Sequence, residues 1–84
     1  MDGENQQELL TRREREVLLL IARGGSSKEI ARHLKISVGG ANFHILNAMK
    51  KLGATTRAHA VADAIFRGLL SADMEVVSRD DGPS

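Results

Sequence analysis

The chain has 84 residues, 42% of them hydrophobic and 27% charged, which is enough for one small domain. It contains no Cys, so a disulfide framework and a Cys-based zinc site are excluded, and its aromatic residues, Phe43 and Phe66, are too few for an RNA-stacking sheet or a single-strand platform. The formal net charge of +1 taken whole argues against a nucleic-acid binder.

Cut at its composition boundaries, the chain gives a different charge picture. Residues 1–8 (MDGENQQE) carry Asp2, Glu4 and Glu8, a charge of −3. Residues 9–70 hold eleven Lys and Arg against Glu14, Glu16, Glu29 and Asp63, a charge of +7. Residues 71–84 set four acids against Arg79, again −3, so the three parts sum to +1. The +1 is a basic middle between two acidic tails. Both tails are polar and short, and disorder is expected in them.

The first helix is predicted over 12–23. Thr11 is a good N-cap and Glu14 completes a Thr-x-x-Glu capping box. Val17, Leu18, Ile21 and Ala22 form its apolar face, widened by Leu19 and Leu20, and Gly24-Gly25 ends it. The second is predicted over 27–34, with Ser26 as cap and Glu29 closing a second box. Ile30, Ala31 and Leu34 share one face. The third is predicted over 38–52 between Ser37 and Gly53. Its Ala41, Ile45, Ala48 and Leu52 follow a 4-3-4 spacing that lines one core stripe. The fourth is predicted over 57–67, capped by Thr56 or Thr55 and stopped by Gly68. Its apolar set is Val61, Ala62, Ile65 and Phe66, followed by Leu69 and Leu70.

The fold class is therefore all-α, a compact four-helix domain over 9–70. Only Lys35-Ile36-Ser37 separates the second and third helices. Two short amphipathic helices on so tight a turn must cross steeply, which is the helix-turn-helix arrangement. Ile30, Ala31, Leu34, Ile36, Ala41 and Ile45 then form one shared core.

The stretch from Leu10 to Leu70 resembles the LuxR-type (GerE-like) helix-turn-helix domain of bacterial transcription regulators. The matching pieces are LTRREREVLLLIARG (10–24), SSKEIARHLKIS (26–37), NFHILNAMKKLGATTRAHAV (42–61) and FRGLL (66–70), in order and at the family's spacing. Glu14, Leu18, Gly24, Glu29, Leu52 and Gly53 match characteristic family positions. The third helix reads Asn-Phe-His, as in acyl-homoserine-lactone-responsive regulators of quorum sensing. The resemblance implies that the third helix enters the major groove and that the fourth makes the dimer contact. The implied groove-facing residues are Asn42, Phe43, Leu46 and Asn47.

The chain departs from the family at Gly40-Ala41-Asn42, where Thr-Val-Lys or Thr-Val-Asn is usual. Gly40 lacks the Thr hydroxyl that typically bonds a phosphate. Gly39 and Gly40 each cost up to about 1 kcal/mol of helix propensity relative to Ala. Ala41 in place of Val removes two methyl groups from the core, on the order of 1 kcal/mol. Leu46 stands where a polar or basic residue is common, so the third helix has no basic residue before Lys50 and Lys51. Its expected base contacts are an amide bond from Asn42, preferably to adenine, and apolar contact of Phe43 or Leu46 with thymine methyls.

Candidate phosphate contacts are Arg12, Arg13, Ser26, Ser27, Lys28, Arg32, Lys35, Lys50 and Lys51. Each has a plainer reading. Arg12 and Glu16 are spaced for an i,i+4 ion pair, Ser26 and Ser27 suit capping, and Lys50 and Lys51 suit a helix C-terminus. Arg15 belongs to the same basic set. Ala58, Ala62, Ile65 and Leu69 are the candidate dimer seam, or else complete the monomer core.

Nothing points to catalysis. No Ser/His/Asp constellation fits around a pocket in so small a helical domain. Glu14 and Glu16, two apart, lie on different helix faces and form no dyad, and the Gly pairs lack P-loop spacing. His33, His44 and His59 fit no local metal motif, so no metal and no cofactor is expected. His44 reads as a partly buried histidine beside the core stripe, and His33 and His59 read as surface residues. No apolar run reaches the roughly 18 residues of a membrane span, so a cytoplasmic location without membrane contact is expected. The expected function is sequence-specific binding of double-stranded DNA, at a pseudo-palindromic site and as a weak homodimer. The alternatives are an interaction module that pairs with a larger LuxR-type regulator without reading DNA, and a factor that docks on RNA polymerase.

Overall fold

A computed structural model describes residues 9–71. The tails expected at 1–8 and 71–84 lie, Ser71 apart, outside the described residues. The helices in chain order are α1 (Arg12–Ala22), α2 (Ser27–Leu34), α3 (Val38–Leu52) and α4 (Arg57–Phe66), with no strand among the described residues. The all-α class and the four expected helices are observed, with ends shifted by one residue at α1 and α4.

Each helix starts on a hydroxyl cap. Thr11 and Ser26 form full capping boxes with Glu14 and Glu29. Thr56 accepts from the His59 N–H. Ser37 accepts from the Gly40 N–H at 2.9 Å, but Gly40 has no side chain to return the bond, so α3 carries half a box. A hydroxyl cap contributes typically about 1 kcal/mol over Ala. The helices end alike. After α1, Gly24 turns to φ 92 and the Gly25 N–H donates to the Leu20 carbonyl, satisfying a carbonyl the helix leaves open. Gly53 and Gly68 serve α3 and α4 in the same way. At the end of α2 the left-handed residue is Lys35, at φ 60.

Two apolar clusters hold the helices. One joins Val17 of α1 to Ile30, Ala31, Leu34, Ala41 and Ile45, with Ile36 packed against it. This is the helix-turn-helix core expected from the sequence. Its fully buried Ile30, Leu34 and Ile45 contribute about 1.5–3 kcal/mol each. The other cluster joins Leu10, Leu18, Ala48, Leu52, Ala60, Ala64, Leu69 and Leu70. Ile21 and Met49 touch both clusters, so α1 and α3 tie the molecule together.

The apolar face of α4 is not the expected one. Ala60 and Ala64 are buried and Val61 is half-buried, while Ala62, Ile65 and Phe66 face outwards. Small residues at i and i+4 let α4 approach α1 and α3 closely, and that closeness turns the larger side chains away. On α1, Leu19 is buried and Ala22 is exposed, and Glu14 and Glu16 are buried on different sides of the helix, so its first turns are enclosed on more than the apolar face.

Candidate nucleic-acid interface

The outer face of α3 carries Gly39, Phe43, Leu46 and Lys50, all exposed and spaced 4-3-4 along one row. Phe43 is 59% and Leu46 61% exposed. Their inward counterparts Ala41, Ile45 and Ala48 are fully buried, so the core fixes which side of the helix this row occupies. Leaving large apolar groups in water is unfavourable, and here two stand exposed on one row. Phe43 is steadied by an edge contact with His44, ring centroids 5.5 Å apart. Asn47 is half-buried beside this row, as is His44.

Asn42 is engaged. The Ser27 hydroxyl donates to its Oδ1 at 2.7 Å, and Arg57 Nη2 donates to the same oxygen at 3.3 Å and to Ser27 Oγ at 2.8 Å. The network joins the first residues of α2 and α4 to the second turn of α3. Arg57 was not among the expected site residues. One signal pointed to it: a cation next to the N-cap works against the helix dipole, so it needs a partner elsewhere.

The basic candidates divide into two groups. Arg12 and Arg13 both pair with Glu16, at 3.3 and 2.8 Å, including the i,i+4 pair foreseen. Lys51 pairs at 2.8 Å with Glu14, whose side chain is 4% exposed. Arg15 donates to the Leu10 carbonyl. These cations serve the fold. Lys28, Arg32, Lys35 and Lys50 are exposed, on or beside the helix-turn-helix. Ser26 is exposed and caps α2. The Ser26 backbone N–H donates to Glu29, which with the Ser26 side-chain bond and Arg32 holds that carboxyl below the usual glutamate range.

Of the dimer candidates, Ala58, Ala62 and Ile65 are exposed on α4, joined by Phe66 at 89%. Leu69 is 6% exposed and belongs to the monomer core, because the turn at Gly68 folds it back under α4. No helix among the described residues is long and apolar enough to cross a membrane.

Comparison with known proteins gives a consistent family. Residues 8–64 match the family described as bacterial regulatory proteins, luxR family. The transcriptional activator protein SolR of Ralstonia solanacearum is 45% identical over 62 residues, 74% of this chain and 26% of SolR. The spore germination protein GerE of Bacillus subtilis is 47% identical over 62 residues, 74% of this chain and 84% of GerE. A solved structure of the transcription factor GerE superposes with a TM-score of 0.72 at 43% identity, covering 77% of this chain and 97% of that one. The chain thus spans about a quarter of the length of SolR and 84% of that of GerE.

Proposed function

The chain belongs to the luxR family of bacterial regulatory proteins, and from that membership we propose that it binds double-stranded DNA in a sequence-specific manner, with α3 in the major groove and α4 as the dimer contact. The family supports DNA-binding transcription regulation as its role. The observation that carries the finer reading is the exposed row of Phe43, Leu46 and Lys50 on a helix whose other side is locked into the core.

Affinity comes from phosphate neutralisation by exposed cations on or beside the helix-turn-helix, Lys28, Arg32, Lys35 and Lys50 among them. Arg12 and Arg13, which share the single carboxylate of Glu16, and Lys51, paired with Glu14, contribute less than their charge suggests. Specificity comes from Phe43 and Leu46 against thymine methyl groups and from the amides of Asn42 and Asn47. A second copy, contacting through Ala58, Ala62, Ile65 and Phe66, doubles these contacts on a two-fold symmetric site. The comparisons lend no support to an interaction module that has lost DNA reading.

Selection of bound sites from random duplex DNA tests this directly. Enrichment of a short pseudo-palindrome is expected. Recovery of unselected sequence would reject specific reading, and recovery of single half-sites would reject the α4 contact.

A further inference from the structure

Asn is usually assigned to adenine because its amide can do two things at once. Its oxygen accepts from adenine N6 and its nitrogen donates to N7. That pairing needs a carbonyl with a lone pair to spare. The Asn42 carbonyl has none. A guanidinium has N–H groups and no acceptor, so the Asn42 atom 3.3 Å from Arg57 Nη2 must be the oxygen. The same argument orients the Ser27 hydroxyl. It accepts from Arg57 at 2.8 Å, so its single hydrogen points to Asn42 Oδ1 at 2.7 Å. Both lone pairs of Oδ1 are thereby engaged, the Ser27 bond being the short one and the Arg57 bond the long one.

We propose that Ser27 and Arg57 are positioning residues that make Asn42 a donor-only specificity determinant. The inference rests on the DNA-binding reading and sharpens it. What Asn42 offers DNA is its Nδ2 amide. In the major groove, that amide takes an acceptor: purine N7, guanine O6 or thymine O4. It is indifferent to the adenine N6 amino group, so it does not single out adenine. Arg57 comes from α4 and Ser27 from α2, so the reading mode of α3 is set by elements outside it.

The test uses the wild-type chain, Asn42→Ala, and the double variant Ser27→Ala, Arg57→Met. Sites selected by wild type and by Asn42→Ala locate the base pair that Asn42 reads, as the one whose identity relaxes. Duplexes are then made with adenine at that position or with purine lacking the N6 amino group. Wild type is expected to bind the two within about twofold, and where the acceptor is a purine N7 a 7-deaza purine there weakens binding about five- to tenfold, the loss of one hydrogen bond. In the double variant the carbonyl is released, and adenine becomes favoured over the N6-less purine by about tenfold, the gain of the second bond. Because the readout is a ratio, a general loss of affinity does not obscure it. A wild-type preference for adenine over the N6-less purine, a ratio unmoved in the double variant, or no relaxed position in Asn42→Ala each overturns the inference while leaving DNA binding intact. Absence of wild-type binding to any duplex at low salt overturns the DNA-binding reading first, before any base analogue is used.

Discussion

Lys51 Nζ lies 2.8 Å from Glu14 Oε1, and that contact closes the last turn of α3 onto the first turn of α1 across 37 residues. The same carboxylate oxygen accepts the Thr11 N–H at 2.9 Å. Glu14 therefore both closes the Thr11 capping box and forms the buried half of a partly buried ion pair. Lys51→Met leaves its charge uncompensated at a site 4% exposed, and a loss of about 2 kcal/mol is expected, less than for a fully buried pair because Lys51 itself is 37% exposed. The double variant Glu14→Gln, Lys51→Met removes both charges and keeps an amide oxygen for Thr11. It is expected to recover much of the loss in urea denaturation, and strict additivity of the two single variants would contradict the pairing.

Gly39 and Gly40 differ in what a methyl group would meet. At Gly39 an added Cβ finds only Ser37 Oγ, at 3.9 Å, and the position is exposed. Gly39→Ala is expected to stabilise the domain by about 0.5–1 kcal/mol through helix propensity. At Gly40 the Cβ would sit 3.2 Å from Ser37 Oγ, the oxygen that caps α3, so Gly40→Ala is expected to give a smaller gain. Thermal unfolding of the two variants checks the order.

Glu29 ties a stability change to acid pH. Its folded-state pKa is held down by the Ser26 backbone and side chain and by Arg32. The stabilisation is full above the unfolded glutamate pKa of about 4.3 and disappears as pH falls through the lower, folded value. Glu29→Gln keeps the capping geometry but not the charge. The melting temperature of wild type is expected to exceed that of Glu29→Gln at pH 6, with the gap closing at acid pH. A gap that widens on acidification would contradict the contact.

Phe43→Ala separates recognition from folding. The side chain is 59% exposed and outside both core clusters, so the melting temperature is expected to move little. Affinity for a selected site is expected to fall about five- to thirtyfold, the lower part of the range for disturbing one base pair of a site. Equal loss on unrelated duplexes would assign Phe43 to the backbone instead.

The helix-turn-helix core was legible because it is local. Ile30, Ala31, Leu34, Ile36, Ala41 and Ile45 lie within sixteen residues, and helical spacing with one tight turn brings them together. The inward face of α4 was not, because hydrophobicity favours Val61, Ile65 and Phe66 while close helix approach selects Ala60 and Ala64. The use of the cations was legible only where partners are one turn apart, as for Arg12 and Glu16. Lys51 with Glu14, and Arg57 with Ser27 and Asn42, depend on how separate helices meet. The +7 of residues 9–70 is thus partly committed to the fold, and the cations set against DNA are fewer than the count implies.

Affinity for a selected duplex and for a scrambled one, followed with rising salt, tests the central claim most directly. With about four phosphates neutralised per copy and two copies bound, the logarithm of affinity is expected to fall with the logarithm of salt at a slope of about −7. Both duplexes should weaken together, with the selected one staying tighter throughout. No binding at low salt, or an affinity indifferent to salt, would contradict the assignment of this domain to DNA.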